Sequence, residues 1–258
     1  MSWSVFLLDE TLPIPAQAVG KLVQRAVGGI VYDHSQRLKL HYGWIAENLD
    51  QNKADELLEL LAHNGLPAFK KPEERLVNLK QKFAVRKARL LEDAFYIPTD
   101  LMGELKPIPW TALSVVSIGS VPTFRQEAVL EKKKRGGLNV GLFVVTGIPV
   151  PKVKNVSKTV YHRITEEGVL IHLLFAQAGF VVEIRPPHFN YEYLGDRLAQ
   201  TSRENFVLFL QDLERLAAGA YWSEISRTFI ETGELKPDFK SDKDFLCFNQ
   251  WITEKTMR

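Results

Sequence analysis

The first seventy residues place apolar side chains at two spacings, one typical of strands and the other of helices. Segments 2–8, 44–46 and 66–69 are short and rich in aromatic or aliphatic residues, which predicts strands. Between them, apolar residues recur every three or four positions and predict helix faces. The helix-face residues are Val19, Leu22, Val23 and Ala26, then Leu38, then Ala54, Leu57, Leu58 and Leu61. The predicted order is strand, helix, helix, strand, helix, strand.

Local start and stop signals agree with these three helices. Gly28-Gly29 ends the first helix, and the second runs over 33–41. Asp50 or Asn52 can cap the third helix at its N-terminus, because a short polar side chain accepts a hydrogen bond from the first turn. Gly65 follows as its C-terminal stop.

The stretch from Trp44 to Phe69 carries a strand into an amphipathic helix, and a glycine turn then returns the chain to the sheet. This pattern resembles the C-terminal domain of the ribosomal stalk protein and the related fold of the ClpS-type protease adaptor. The resemblance covers residues 2–70 and implies a small α/β-sandwich domain with a protein-binding role. Residues 31–40 lack the glycine- and lysine-rich run of the stalk protein, so no functional residue is carried over.

Beyond residue 84, short strand-like segments alternate with turn-like gaps. The candidate strands are 85–91, 94–98, 112–118, 140–146, 159–164, 168–174 and 179–184. Thr201 and Glu204 form a capping box for a helix with an apolar face that includes Phe206 and Leu210. About seven strands followed by one such helix resemble the pleckstrin-homology-like superfold over residues 82–220. The resemblance implies a bent antiparallel sheet closed by the helix; an antiparallel sandwich with a flanking helix is the alternative.

We therefore predict an α+β protein with a small N-terminal α/β-sandwich domain (β-α-α-β-α-β), followed by an antiparallel pleckstrin-homology-like β-barrel or sandwich closed by a C-terminal helix. The predicted parts are residues 1–70 for the first domain, 71–84 for a basic linker, 85–233 for the β-domain with its helix, and 234–258 for an aromatic tail. In the tail, Phe245, Phe248 and Ile252 share one helical face. That face packs on its own chain or in the groove of a partner.

Composition narrows the class of protein. With 45% hydrophobic and 10% aromatic residues, the chain of 258 residues can build a packed core. The single cysteine excludes an intramolecular disulfide and a cysteine-rich zinc site. The first residues lack a basic region and soon meet Asp9-Glu10, so we expect no signal peptide and a cytoplasmic location.

Basic charge is concentrated in two segments, although the net charge is only +2. Residues 69–89 hold eight basic and two acidic residues, and residues 120–163 hold nine basic and two acidic residues. The second segment contains Lys132, Lys133, Lys134 and Arg135, which we predict on a loop between strands as the leading partner- or anion-binding candidates. The alternatives are a merely solvated loop, an acidic protein, an anionic membrane or a nucleic acid.

We predict no catalytic residue, no metal and no cofactor. One alternative is a ligand or metal site in which His162 and His172 face each other across a hairpin near 166–168, with Glu183 beside them. A second is a cleft lined by Tyr191, Tyr193 and Arg197; the ordinary interpretation is that these tyrosines pack with their hydroxyls outward.

The expected function is that of a non-enzymatic, two-domain interaction or scaffolding protein with a protein partner. Nucleic acid and anionic membrane are weaker alternatives for the partner. The other class left open is an enzyme or small-ligand protein with a cleft near His162, His172 and Glu183.

Overall fold

A computed structural model describes residues 1–10, 14–79, 81–98, 105–138, 151–236 and 239–258; within 123–138 and 151–167 it describes the backbone only. The chain divides into two compact units, one of residues 1–121 with 168–258 and one of residues 122–167. Helices and mostly antiparallel sheets confirm the predicted α+β class. The finer division into domains at 71–84 and 234 stays a prediction.

The N-terminal region is a three-stranded antiparallel sheet packed against three helices. In chain order its elements are β1 (Trp3–Leu7), α1 (Ala16–Val27), α2 (Val31–His41), β2 (Trp44–Leu49), α3 (Gln51–His63) and β3 (Ala68–Pro72). β1 lies in the middle of the sheet, between β2 and β3. Asp50 caps α3 by accepting a hydrogen bond from the Lys53 amide at 3.0 Å. The predicted element order is therefore confirmed.

After β3, the described residues form a three-stranded sheet, a five-stranded sheet and three α-helices. The strands are β4 (Gln81–Val85), β5 (Arg89–Leu90), β6 (Ala94–Pro98), β7 (Leu105–Pro109), β8 (Val115–Leu138), β9 (Pro151–Phe175), β10 (Phe180–Ile184) and β11 (Tyr221–Trp222). The helices are α4 (Ser202–Leu216), α5 (Glu224–Thr232) and α6 (Asp242–Thr256). The strand orders are β5-β6-β7 and β11-β8-β9-β10-β4.

Several strand boundaries differ from the predicted ones. The segment predicted as linker, 71–84, begins inside β3 and ends inside β4. The hairpin predicted near 166–168 is wrong, because β9 runs through these residues without a break. β4 pairs with β10 in parallel, and β11 pairs with β8 in parallel, so the large sheet is not purely antiparallel. The predicted strand 140–146 lies outside the residues that the structure describes.

Side chains alternate between the two faces along each strand, and within residues 1–121 and 168–258 both faces of the five-stranded sheet pack against helices. One face packs against α4, where Phe206, Phe209, Leu210 and Leu213 are buried. This agrees with the predicted closing helix, and both hydrogen bonds of its Thr201–Glu204 capping box are present. The other face packs against the C-terminal helix α6.

Helix α6 packs on its own chain. Phe245, Phe248 and Ile252 are fully buried, as their shared spacing predicts. Trp251 is buried with them, and its indole N–H donates to the Leu7 carbonyl of β1 at 2.8 Å. α6 thus contacts both the N-terminal sheet and the five-stranded sheet. None of the helices within the described ranges has the length and apolar character needed to cross a bilayer.

Candidate functional site

Strand β4 forms one edge of the five-stranded sheet. It pairs with β10 on one side, and no other strand in the described part of the chain pairs with its second side. Its first four residues, Gln81–Ala84, are all exposed, whereas Val85 is buried in the core. A strand paired on one side leaves the N–H and C=O groups of alternate residues free to bind another extended chain. β4 therefore has the geometry of a strand-addition site.

An aromatic row leads from the core of the sheet to this edge. Phe175 of β9 is buried and stacks on Phe180 of β10, with ring centroids 4.7 Å apart. Phe180 in turn meets Phe83 of β4 edge to face at 5.6 Å. Phe83 is 46% exposed, which is high for a large aromatic side chain next to a sheet core. The row therefore ends in an apolar contact surface beside the free backbone edge.

Charged side chains hold β4 in place on its opposite face. Lys82 Nζ lies 2.6 Å from Glu183 Oε2 of β10. Arg185 donates from Nε to Glu183 Oε1 at 2.9 Å and from Nη2 to Asp242 Oδ2, at the start of α6, at 2.7 Å. Lys82 thus ties β4 to β10 through Glu183, and Arg185 joins the same carboxylate to the start of α6.

Two of the predicted ligand-site residues, His172 and Glu183, lie together in this network. His172 is fully buried, and its Nε2 lies 3.6 Å from Glu183 Oε2. Asn249 of α6 donates from Nδ2 to His172 Nδ1 at 2.7 Å, so the neutral ring carries its proton on Nε2, toward Glu183. The side chain of His162, the third predicted member, lies outside the described side chains, and its backbone belongs to the same strand as His172.

Burial and charge act in opposite directions on these two groups. Burial lowers the pKa of His172 below its ordinary value, although the neighbouring Glu183 opposes the change. Burial alone raises the pKa of Glu183, but the nearby His172, Lys82 and Arg185 outweigh it and hold that pKa well below its ordinary value. The result is a neutral imidazole beside an ionised carboxylate, inside the packed interior.

The predicted cleft residues Tyr191, Tyr193 and Arg197 bind within the chain. The Tyr191 hydroxyl donates to the Pro186 carbonyl at 3.1 Å. Tyr193 donates to Asp212 of α4 at 3.2 Å, and Arg197 donates to both carboxylate oxygens of the same residue. Burial, with help from Asp212, raises the pKa of Tyr193, so its hydroxyl stays protonated at neutral pH. This arrangement clamps the segment before α4 to that helix; a ligand-binding role for the three residues stays a prediction.

The basic run Lys132, Lys133, Lys134 and Arg135 lies within β8, which extends to Leu138. The expectation that it forms a loop between strands is therefore wrong. The side chains of these four residues lie outside the described ones, and their role in binding stays a prediction.

A separate open cleft of about 460 Å³ lies between α4 and α5. Trp222 and Ile230 line it together with charges of both signs, Glu214, Glu231 and Arg227. Mixed charge of this kind specifies no single class of ligand. Among the residues with described side chains, no group of three or more histidine, cysteine or acidic residues has the arrangement of a metal site.

The sequence does not predict this edge, because residues 81–84 fall within the segment predicted as a basic linker. The signal that points to a strand is Phe83-Ala84-Val85, an apolar run directly after two polar residues. In comparisons with known proteins, no family model, curated protein or solved structure matches this chain.

Proposed function

We propose that this chain is a non-enzymatic protein-interaction module that binds an extended segment of a protein partner along β4. The observation that carries the proposal is the combination of a free strand edge with the exposed ring of Phe83 beside it. Backbone hydrogen bonds to such an edge supply affinity, and pockets or rings beside it select side chains. The resemblances to the stalk and pleckstrin-homology-like folds imply binding roles and support the same class of function.

Alternative sites support other functions less well. His172 and Glu183 have almost no exposed surface, so a substrate from solvent does not reach them without displacement of α6. Tyr193 and Arg197 have their polar groups engaged by Asp212. A cytoplasmic location is part of the proposal, because a single free cysteine fits a reducing compartment.

The test is selection of a random dodecapeptide library, displayed on phage, against the intact protein. We expect enrichment of peptides that bind the wild type and are lost with Phe83→Ser, because this change removes the apolar contact beside the edge. Leu198→Ser is the matched control, since Leu198 is 51% exposed and belongs to the segment before α4, outside β4. Thermal unfolding of all three proteins checks that the variants are folded.

Three results contradict the proposal. The first is the absence of any enriched peptide. The second is enrichment of peptides that bind Phe83→Ser as tightly as the wild type. The third is enrichment of peptides that lose affinity for the Leu198→Ser variant instead, because this result places the binding site away from β4.

A further inference from the structure

The basic segment 69–89, which contains β4, is partly neutralised within the chain. Four of its lysines form ion pairs with acidic residues elsewhere in the structure. The pairs are Lys70 with Asp55 at 2.5 Å, Lys71 with Glu254 at 2.7 Å, Lys82 with Glu183 at 2.6 Å and Lys87 with Glu192 at 2.8 Å. Among the described residues of the segment, the positive charges without an ion pair are therefore those of three arginines, Arg75, Arg86 and Arg89.

Among the residues that the structure describes, Arg86 and Arg89 are the cations next to the edge that have no ion pair. Arg86 follows β4 directly, and Arg89 begins β5; both are exposed. Neither forms an ion pair with any residue in the described parts of the chain, in contrast to Lys87 between them. Arg86 is also fixed through its backbone, because its carbonyl accepts a hydrogen bond from the Asn190 amide at 2.7 Å. The structure thus presents unpaired positive charge at a defined position beyond the end of the strand.

The distance between the apolar and the charged contact follows from strand geometry. Arg86 lies three residues after Phe83, and a strand rises about 3.3 Å per residue, so the two positions are separated by about 10 Å. A partner strand paired with β4 therefore meets an aromatic ring at one point and a guanidinium group roughly three residues further along.

We infer that the segment bound along β4 is acidic at one end: an extended peptide with an apolar residue over Phe83 and an aspartate or glutamate facing Arg86 and Arg89. This inference rests on the proposed function and names the chemistry of the partner. Guanidinium groups bind carboxylates through two parallel hydrogen bonds, so two free arginines favour acidic side chains over neutral ones.

A protein segment fits this surface better than a nucleic acid. Lys82 and Lys87 are already paired with Glu183 and Glu192, so the edge offers no continuous row of free cations to a phosphate backbone. The exposed ring of Phe83 is followed by no second exposed aromatic residue within β4 or β5, whereas single-stranded nucleic acids are bound by stacking on successive rings.

The experiment uses the enriched dodecapeptides and the double variant Arg86→Gln/Arg89→Gln. We expect the peptides to share an acidic residue about three positions from an apolar one. We also expect the double variant to bind them about tenfold more weakly, the combined effect of two exposed ion pairs. Arg75→Gln is the matched control, because Arg75 is exposed, lies in the same basic segment and has no ion pair with a described residue. Its affinity should stay within about twofold of the wild type.

The outcomes separate this inference from the proposed function. One outcome is a set of peptides that depend on Phe83, carry no acidic residue and bind the double variant as tightly as the wild type. This outcome overturns the inference of an acidic partner but leaves the proposed binding along β4 in place. Binding of a random-sequence single-stranded RNA that is lost in the double variant but unchanged by Phe83→Ser identifies a polyanion site and also overturns the inference. Absence of any Phe83-dependent peptide contradicts the proposed function itself.

Discussion

Glu254→Gln is the substitution that most directly tests how α6 is anchored. Glu254 is fully buried, and its Oε2 lies 2.7 Å from Lys71 Nζ of β3. Its Oε1 accepts hydrogen bonds from the Val77 amide at 2.6 Å and from Gln250 Nε2 at 2.7 Å. Glutamine has the same shape but no charge, and its amide group turns one acceptor into a donor that faces the Lys71 ammonium.

The expected loss of stability follows from the Lys71 charge, which stays buried when Glu254 loses its own charge. Breaking a buried ion pair by removing one partner costs about 3–5 kcal/mol, because the other charge stays buried without compensation. The Lys71 side chain is 14% exposed and keeps the Met257 carbonyl at 3.3 Å, which places the loss near the lower end, about 3 kcal/mol. Urea unfolding at neutral pH measures this loss as a shift in midpoint without a change in slope.

A second variant tests the reason for the loss. Lys71→Met combined with Glu254→Gln removes both charges, so it should recover at least about 1 kcal/mol relative to Glu254→Gln alone. Glu234→Gln is the control, because the Lys236–Glu234 pair is exposed and should contribute less than about 0.5 kcal/mol. A loss below about 1 kcal/mol for Glu254→Gln, or no recovery in the double variant, refutes the reasoning.

Two further predictions concern the same interior. In Gly119→Ala, the new Cβ lies 2.7 Å from Phe245 Cε2, so crowding should lower the free energy of unfolding in urea by about 1–3 kcal/mol. Gly219→Ala is the control, because its new Cβ has no atom within 4 Å and should not lower the stability by crowding. Equal stabilities of the two variants contradict this packing. Burial lowers the folded-state pKa of His172 below 6.5, so the unfolded chain binds more protons and stability falls as pH decreases below 6.5. The lowered pKa of Glu183 adds a loss only below 4.5. His172→Gln should reduce the fall in stability between pH 7 and 5 without abolishing it, since the pKa of His41 is lowered too. An unchanged slope of stability against pH contradicts the contribution of His172.

The features that the sequence predicts well are local ones. Asp50 caps α3, and Thr201 with Glu204 caps α4, because a cap depends only on residues within one helical turn. The buried face of α6 follows from the spacing of Phe245 and Phe248 in the same way. Local hydrogen bonding and periodicity therefore account for the helices and for the order of elements in the N-terminal sheet.

The features that escape prediction depend on contacts between distant segments. β4 becomes a strand by pairing in parallel with β10, and no residue near β4 in the sequence predicts this pairing. The positive charge of both basic segments favours a linker or a loop, yet both contain strand residues. A lysine such as Lys82 is compatible with a strand when a carboxylate such as Glu183 faces it. Asn249, the hydrogen-bond partner of His172, lies on a helix far along the chain, so their contact arises only in the folded protein.

Amide hydrogen exchange with and without a peptide enriched on the wild type tests the central claim most directly. Strand addition closes the free edge, so alternate amides within Gln81–Val85 should exchange more slowly in the complex, and Phe83→Ser should remove the effect. Slowed exchange confined to residues outside β4, with unchanged exchange across Gln81–Val85, would contradict the account.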